Sequence, residues 1–163
     1  MSVPPRSPVS VRIQQDDFDV GAEIAALTAG RLDCGAVVSF SGICRADDEA
    51  GASGARVEAL TLEHYPGMAE EEILRHVEKA QGRWPLQGVT VIHRVGRIRA
   101  GENIVLVITA SAHRQAAFEA AEFVMDYLKT SAPIWKKAER QGGADWVMAH
   151  ERDDQAAARW DES

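Results

Sequence analysis

Residues 89–110 read VTVIHRVGRIRAGENIVLVITA, and residues 113–129 read HRQAAFEAAEFVMDYLK. The first stretch holds two β-rich apolar runs, Val89 to Val95 and Ile104 to Ala110. Each is strand-length, and Gly96 and Gly101 bracket a turn between them, the pattern of an antiparallel hairpin. The second stretch changes period. Its apolar residues stand at 117, 121, 124, 125 and 128, one face of a helix from about His113 to Lys129. Pro133 then forbids continuation. A hairpin feeding an amphipathic helix indicates an α+β domain with a mixed or antiparallel sheet and flanking helices, not a doubly wound parallel fold.

Working outward, residues 1–8 form a Pro- and Ser-rich stretch, read as a flexible arm. Val9 to Ile13 alternates as a short strand, and Asp17 and Asp19 offer caps for a helix through Thr28 that stops at Gly30. Residues 35–43 are a β-rich strand, followed by a polar loop over 46–55 that is expected to be mobile. Val57 to His64 is a strand, Pro66 and Gly67 turn the chain, and a helix runs from Met68 to Gln81 with Met68, Ile73, Leu74 and Val77 inward. Ile134 to Lys137 is extended, Gly142 and Gly143 turn, and a last strand lies near Trp146 to Met148. One domain therefore spans 9–150, and the charged tail 151–163 is expected to fray.

Composition removes several classes. A net charge of -7 argues against a general nucleic-acid binder. No apolar run approaches the roughly 20 residues needed to cross a bilayer, and no signal-peptide core opens the chain, so a reducing cytoplasm is the expected setting. Cys34 and Cys44 stand ten apart with no CxxC and no His at ligand spacing, so they are read as packed thiols and no metal site is expected. There is no GxGxxG or GxxxxGK[ST] loop and no legible Ser-His-Asp order, and Glu70 to Glu72 read as a solvated helix face.

In so acidic a chain, basic residues at structural punctuation stand out. Arg45 ends a strand, His113 and Arg114 start a helix, Lys129 ends it, and Lys136 lies just beyond Pro133. A helix start with free N–H groups suits an anion, Arg grips phosphate in a fork, and a desolvated Lys can move protons or act as a nucleophile. Together they sketch a pocket for a small phosphorylated molecule. Each has a plainer reading: Lys129 can complement the helix dipole, Arg45 can be a surface charge, and His113 can cap the helix. His93 and Arg94 sit within a strand and point to opposite faces, and at least one is expected to pack in the sheet or at an interface.

Longer motifs narrow the choice. GAVVSFSGICR at 35–45, LTLEHYPGM at 60–68, His93-Arg94 with Gly96, SAHR at 111–114 with Ala117-Phe118, Lys129 with PIWKK at 133–137, and Trp146-Val147 occur in this order. In order and spacing they resemble the large, catalytic subunit of the molybdopterin synthases, over about residues 9–150. The resemblance implies an α/β hammerhead-like fold. It implies sulfur transfer from the C-terminal Gly-Gly thiocarboxylate of a small ubiquitin-like carrier to cyclic pyranopterin monophosphate, forming the molybdopterin dithiolene. No metal or organic cofactor is implied.

By the same resemblance Lys129 and Lys136 match the catalytic lysines. Arg45, His113 and Arg114 match substrate-pocket residues, and Phe40 and Met125 match positions beside the carrier's inserted tail. His150 stands where some relatives carry Arg and is a further substrate-binding candidate, one whose grip would depend on pH. Ala138 stands where an acid often follows the lysine pair. A homodimer carrying two carriers, a heterotetramer, is implied. Two other readings compete: a non-catalytic dimeric module that docks a carrier tail, and an unrelated phosphatase or pterin-binding enzyme. Two retained lysines weigh against a pure docking surface. The lack of metal ligands or an obvious nucleophile weighs against the other.

Overall fold

The computed structural model describes residues 8–47, 56–140, 143–147 and 151–161. In chain order its elements are β1 (Val9–Gln14), α1 (Val20–Thr28), β2 (Ala36–Ile43), β3 (Val57–His64), α2 (Met68–Arg83), β4 (Leu86–Arg94), β5 (Gly96–Arg99), β6 (Asn103–Ser111), α3 (Arg114–Thr130), β7 (Ile134–Arg140), β8 (Gly143–Val147) and α4 (Glu151–Ala158). The chain is an α+β domain with one mixed and one antiparallel sheet. The first sheet has the order β1-β4-β6-β2, with β1 parallel to β4 and the other pairs antiparallel. The second, β5-β3-β7-β8, is antiparallel throughout.

Two sheets in place of one trace to the segment between Gly96 and Gly101. Read as a plain turn, it instead forms β5, which pairs with β3 from Ala59↔Arg99 to Leu62↔Gly96. β4 and β6 still pair as the hairpin reading requires, with Val91 opposite Val107. The connection between them detours through the second sheet. Gly101 makes the return at φ +91°, a conformation that a side chain would strain.

The apolar runs of β4 and β6 lack alternation because both faces of the first sheet are covered. Val89, Val91, Val105 and Val107 pack with α2 and α3 in the main core. Ile92, Leu106 and Ile108 pack on the other side with Leu27 and Ile24 of α1. Asp19 caps α1, its side chain accepting from the Ala22 amide. On α2 the expected inward set needs correction. Ile73 and Val77 are fully buried, but Met68 and Leu74 face outward, and the stripe is completed by Ala69 and Ala80. Small residues at 69 and 80 let the helix backbone lie close to the sheet.

The charged tail also departs from expectation, since α4 forms there and docks. Behind it Trp160 packs edge-on against Trp84 and Phe123, with ring centres 5.7 and 5.6 Å away. Its Nε1 donates to Asp126 at 2.7 Å, and Arg159 pairs with Glu122 and Asp126. A single aromatic anchor thus holds a segment whose composition alone looks solvated. Most of the arm at 1–8, loop residues 48–55, Met148 and His150 lie outside the described residues. Among the described residues no helix is long and apolar enough to cross a membrane.

Candidate active site

Three residues, Ser131 to Pro133, separate the end of α3 from the start of β7. The reversal is tight: the amides of Ser131 and Ala132 both donate to the Tyr127 carbonyl, and Ile134 donates to Ala132. Lys129 in the last turn of α3 and Lys136, third residue of β7, are thereby brought together. A cavity of about 420 Å³ opens there, lined by both lysines, Arg45, Cys44 and His93. Arg45 is set by the end of β2. The Cys44 amide donates to Glu102 and its carbonyl accepts from Gly101, tying this strand end to the turn before β6.

The wall carries three cations, Arg45, Lys129 and Lys136, against the carboxylates of Asp47 and Asp153. A locally positive cavity in an acidic protein draws small anions. Burial pushes the Lys136 ammonium down to about 8 from an ordinary 10.5, helped by the neighbouring charge of Lys129 and a hydrogen bond with it. Asp153 pulls weakly the other way. A lysine so placed exists in part as free amine near neutral pH and can give or take a proton. The Cys44 thiol is pushed up by burial and is 2% exposed, so it stays protonated and serves packing.

His93 is 4% exposed on β4, and its Nδ1 lies 2.8 Å from the Arg94 carbonyl. Burial is the main cause that holds its pKa down to about 4, with Lys136, Lys129 and His64 adding to it. The pair does face opposite ways. Arg94 donates from Nε to the Gln15 carbonyl and from Nη1 to that of Asn103, a structural role.

Of the expected site residues, Arg45, Lys129 and Lys136 share the cavity. His113 and Arg114 do not; they stand exposed at the opposite end of α3. Fifteen residues separate Arg114 from Lys129, about 22 Å along a helix axis. His113 occupies the N-cap position without a side-chain cap bond, and the first turn carries no acid. Phe40 is exposed on β2, and Met125, one turn before Lys129, is buried in the main core at 9%. His150 falls outside the described residues. Ala138 lies two residues beyond Lys136 on β7 and is wholly buried, while Glu139 binds Arg97 and Thr61. Sequence reasoning gave no weight to Asp153 and left His93 as one of a packing pair. The parity of His93 with Val89 and Val91 was the available signal that it faces α3.

A basic cavity on a two-sheet α+β domain brings together positive charge that suits a small anion and a lysine able to exchange a proton near neutral pH. The relatives of the chain are specific. The family model of the MoaE protein matches residues 13–131. The chain is 67% identical over 156 residues to the molybdopterin synthase catalytic subunit of Mesorhizobium japonicum, covering 94% of each. It is 58% identical to that of Rhizobium meliloti, covering 94% of this chain and 97% of the relative. Among solved structures, the molybdopterin biosynthesis MoaE protein of Burkholderia ambifaria superposes with a TM-score of 0.77 at 45% identity, covering 94% of this chain and 98% of that one. The chain belongs to the MoaE protein family.

Proposed function

We propose that this chain is the catalytic subunit of a molybdopterin synthase, a sulfurtransferase acting in molybdenum cofactor biosynthesis. The observation that carries the reading is the pairing of Lys129 with Lys136 in one basic cavity, the second with its pKa brought down to about 8. Relatives named molybdopterin synthase catalytic subunit share up to two-thirds of its residues, 67% in the Mesorhizobium protein. The substrate is cyclic pyranopterin monophosphate. Sulfur comes from the C-terminal thiocarboxylate of a small ubiquitin-like carrier. Attack by a thiocarboxylate on a pterin carbon needs charge stabilisation and proton transfer, which an ammonium beside a free amine supplies. Lys129 and Lys136 are the catalytic pair, and Arg45 holds the substrate phosphate. A cytoplasmic setting suits the two free thiols, Cys34 and Cys44.

The site is shared between two copies. A pterin monophosphate is roughly half as long as the ~22 Å that separates Arg114 from Lys129 on one straight helix. No Pro or Gly between them could bend α3. His113 and Arg114 of a second copy therefore complete the substrate pocket of the first, with His150 as a further contact. Two-fold dimers are the commonest assemblies, and with two carriers this one makes a heterotetramer. The carrier's Gly-Gly tail is taken to pass beside Phe40 and Met125, where glycine allows close backbone approach. In the reconstituted enzyme, Lys129→Ala lowers turnover about 10²-fold or more with little effect on folding. Lys136→Arg loses most activity if Lys136 transfers protons, because guanidinium holds its proton too firmly, and keeps part of it if charge alone matters. Near-normal product formation by both Lys129→Ala and Lys136→Ala overturns the reading.

A further inference from the structure

His93 is the residue of the cavity that the lysine chemistry leaves unused. It lines the same wall as Lys129 and Lys136, and it is 4% exposed. Its one hydrogen bond among the described residues joins Nδ1 to the Arg94 carbonyl at 2.8 Å. A carbonyl oxygen only accepts, so Nδ1 carries the proton, and the neutral ring keeps its lone pair on Nε2. The imidazole is thus a neutral acceptor in a wall whose charged groups are Arg45, Lys129 and Lys136 on one side and Asp47 and Asp153 on the other.

We propose that His93 is a positioning residue for the lysine pair: Lys136 hydrogen-bonds to Lys129 in the free chain, and when substrate is held in the cavity the open Nε2 of His93 accepts a hydrogen bond from Lys136 and fixes its direction without adding a negative charge. The distinction matters chemically. A carboxylate in the same place would position Lys136 equally well, but it would stabilise the ammonium and keep the lysine from releasing its proton. A neutral acceptor orients the group and leaves it free to titrate. The ring itself stays uncharged across the working range, because burial above all, and then the neighbouring Lys136, Lys129 and His64, oppose its protonation. His64 belongs to β3, and its Nε2 lies 3.9 Å from Glu70. The role rests on the proposed function for its catalytic consequence, and on the shared cavity wall for the placing of His93 beside Lys136.

The test has two arms, both on the complete enzyme with its carrier. In the wild-type protein, nitrogen NMR of a histidine-labelled sample reads the tautomer directly. His93 is expected to hold its proton on Nδ1 and to remain neutral from pH 5.5 to 9. Titration within that range, or a proton on Nε2, overturns the proposal whatever the enzyme's activity. In the second arm, His93→Gln, which keeps an acceptor, retains turnover within a few-fold. His93→Phe, which fills the space without one, lowers kcat about 10-fold or more, leaves KM for the carrier nearly unchanged and alters the limb of the pH–rate profile that reports Lys136. A folded His93→Phe enzyme with unchanged kcat and pH profile refutes the role. Wild-type enzyme that makes no product refutes the proposed function instead, and the NMR arm then still decides the tautomer and charge of His93.

Discussion

Replacing Lys129 by glutamine removes a positive charge, and the hydrogen bond made by that ammonium, from beside Lys136. Both hold the Lys136 pKa down, together with burial, which is the largest cause. The effect of the present arrangement is large. At pH 7 a lysine of pKa 10.5 is about 0.03% free amine, whereas one at about 8 is roughly 9%, a gain of some 300-fold in the reactive form. In Lys129→Gln the midpoint should therefore climb above 8. It should stop short of 10.5, because the burial of Lys136 does not depend on Lys129. Asp153→Asn should move it in the opposite direction, since that carboxylate favours the ammonium. The assay is acylation of Lys136 by a small reagent as a function of pH, read residue by residue by mass spectrometry. Restricted access slows the absolute rate, so the midpoint is the quantity compared. A wild-type midpoint near 10.5 would refute the reasoning. So would a midpoint that stays put or falls in Lys129→Gln.

Two further outcomes follow from the geometry. Mixing Arg114→Ala chains with Lys129→Ala chains should restore part of the activity that each lacks alone, because a hybrid dimer has one pocket with both lesions and one with neither; no recovery despite demonstrated subunit exchange contradicts the shared site. Buried His93, with its pKa lowered from 6.5 to about 4, resists protonation in the folded state only, so its contribution to stability is intact above pH 6.5 and is lost as the pH falls towards 4. Urea unfolding of wild type at pH 7 and pH 4.5 should show a loss of about 2–3 kcal/mol attributable to this ring, absent from His93→Gln; equal pH dependence in the two proteins would show that the ring does not contribute.

Much of this fold is legible in local pattern. The limits of β3 coincide with the sequence reading, and α3 is read to within a residue, because a strong 3.6-residue period and Pro133 leave little freedom. What local pattern does not contain is partner choice between strands. Nothing in Arg97-Ile98-Arg99 says that the segment pairs with β3 instead of turning, since that pairing is decided by contacts nearly forty residues away. α4 was hidden for a related reason. Its stability rests on Trp160 meeting Trp84 and Phe123, a tertiary contact that the charged composition masks. On α2, counting apolar residues favoured Met68 and Leu74, whereas the buried stripe uses alanines that hydrophobicity alone underrates. In the site, lysines beside a proline-marked reversal were readable as punctuation. His93 was not, because a histidine inside a buried strand looks the same in sequence whether it packs or lines a cavity. Only the fold, by bringing β7 and the end of α3 over β4, sets Lys129 and Lys136 around it.

The central claim, that this chain carries out sulfur transfer and does not merely dock a carrier, is tested most directly by a single-turnover reaction. The purified chain is mixed with thiocarboxylated carrier and cyclic pyranopterin monophosphate, and molybdopterin is followed together with the state of the carrier's terminal glycine. The account predicts that the dithiolene product accumulates while two carrier thiocarboxylates return to carboxylates for each product, and that with Lys129→Ala both changes slow about 10²-fold or more. A complex that forms and binds the pterin, yet leaves the thiocarboxylate intact and makes no dithiolene, would contradict it.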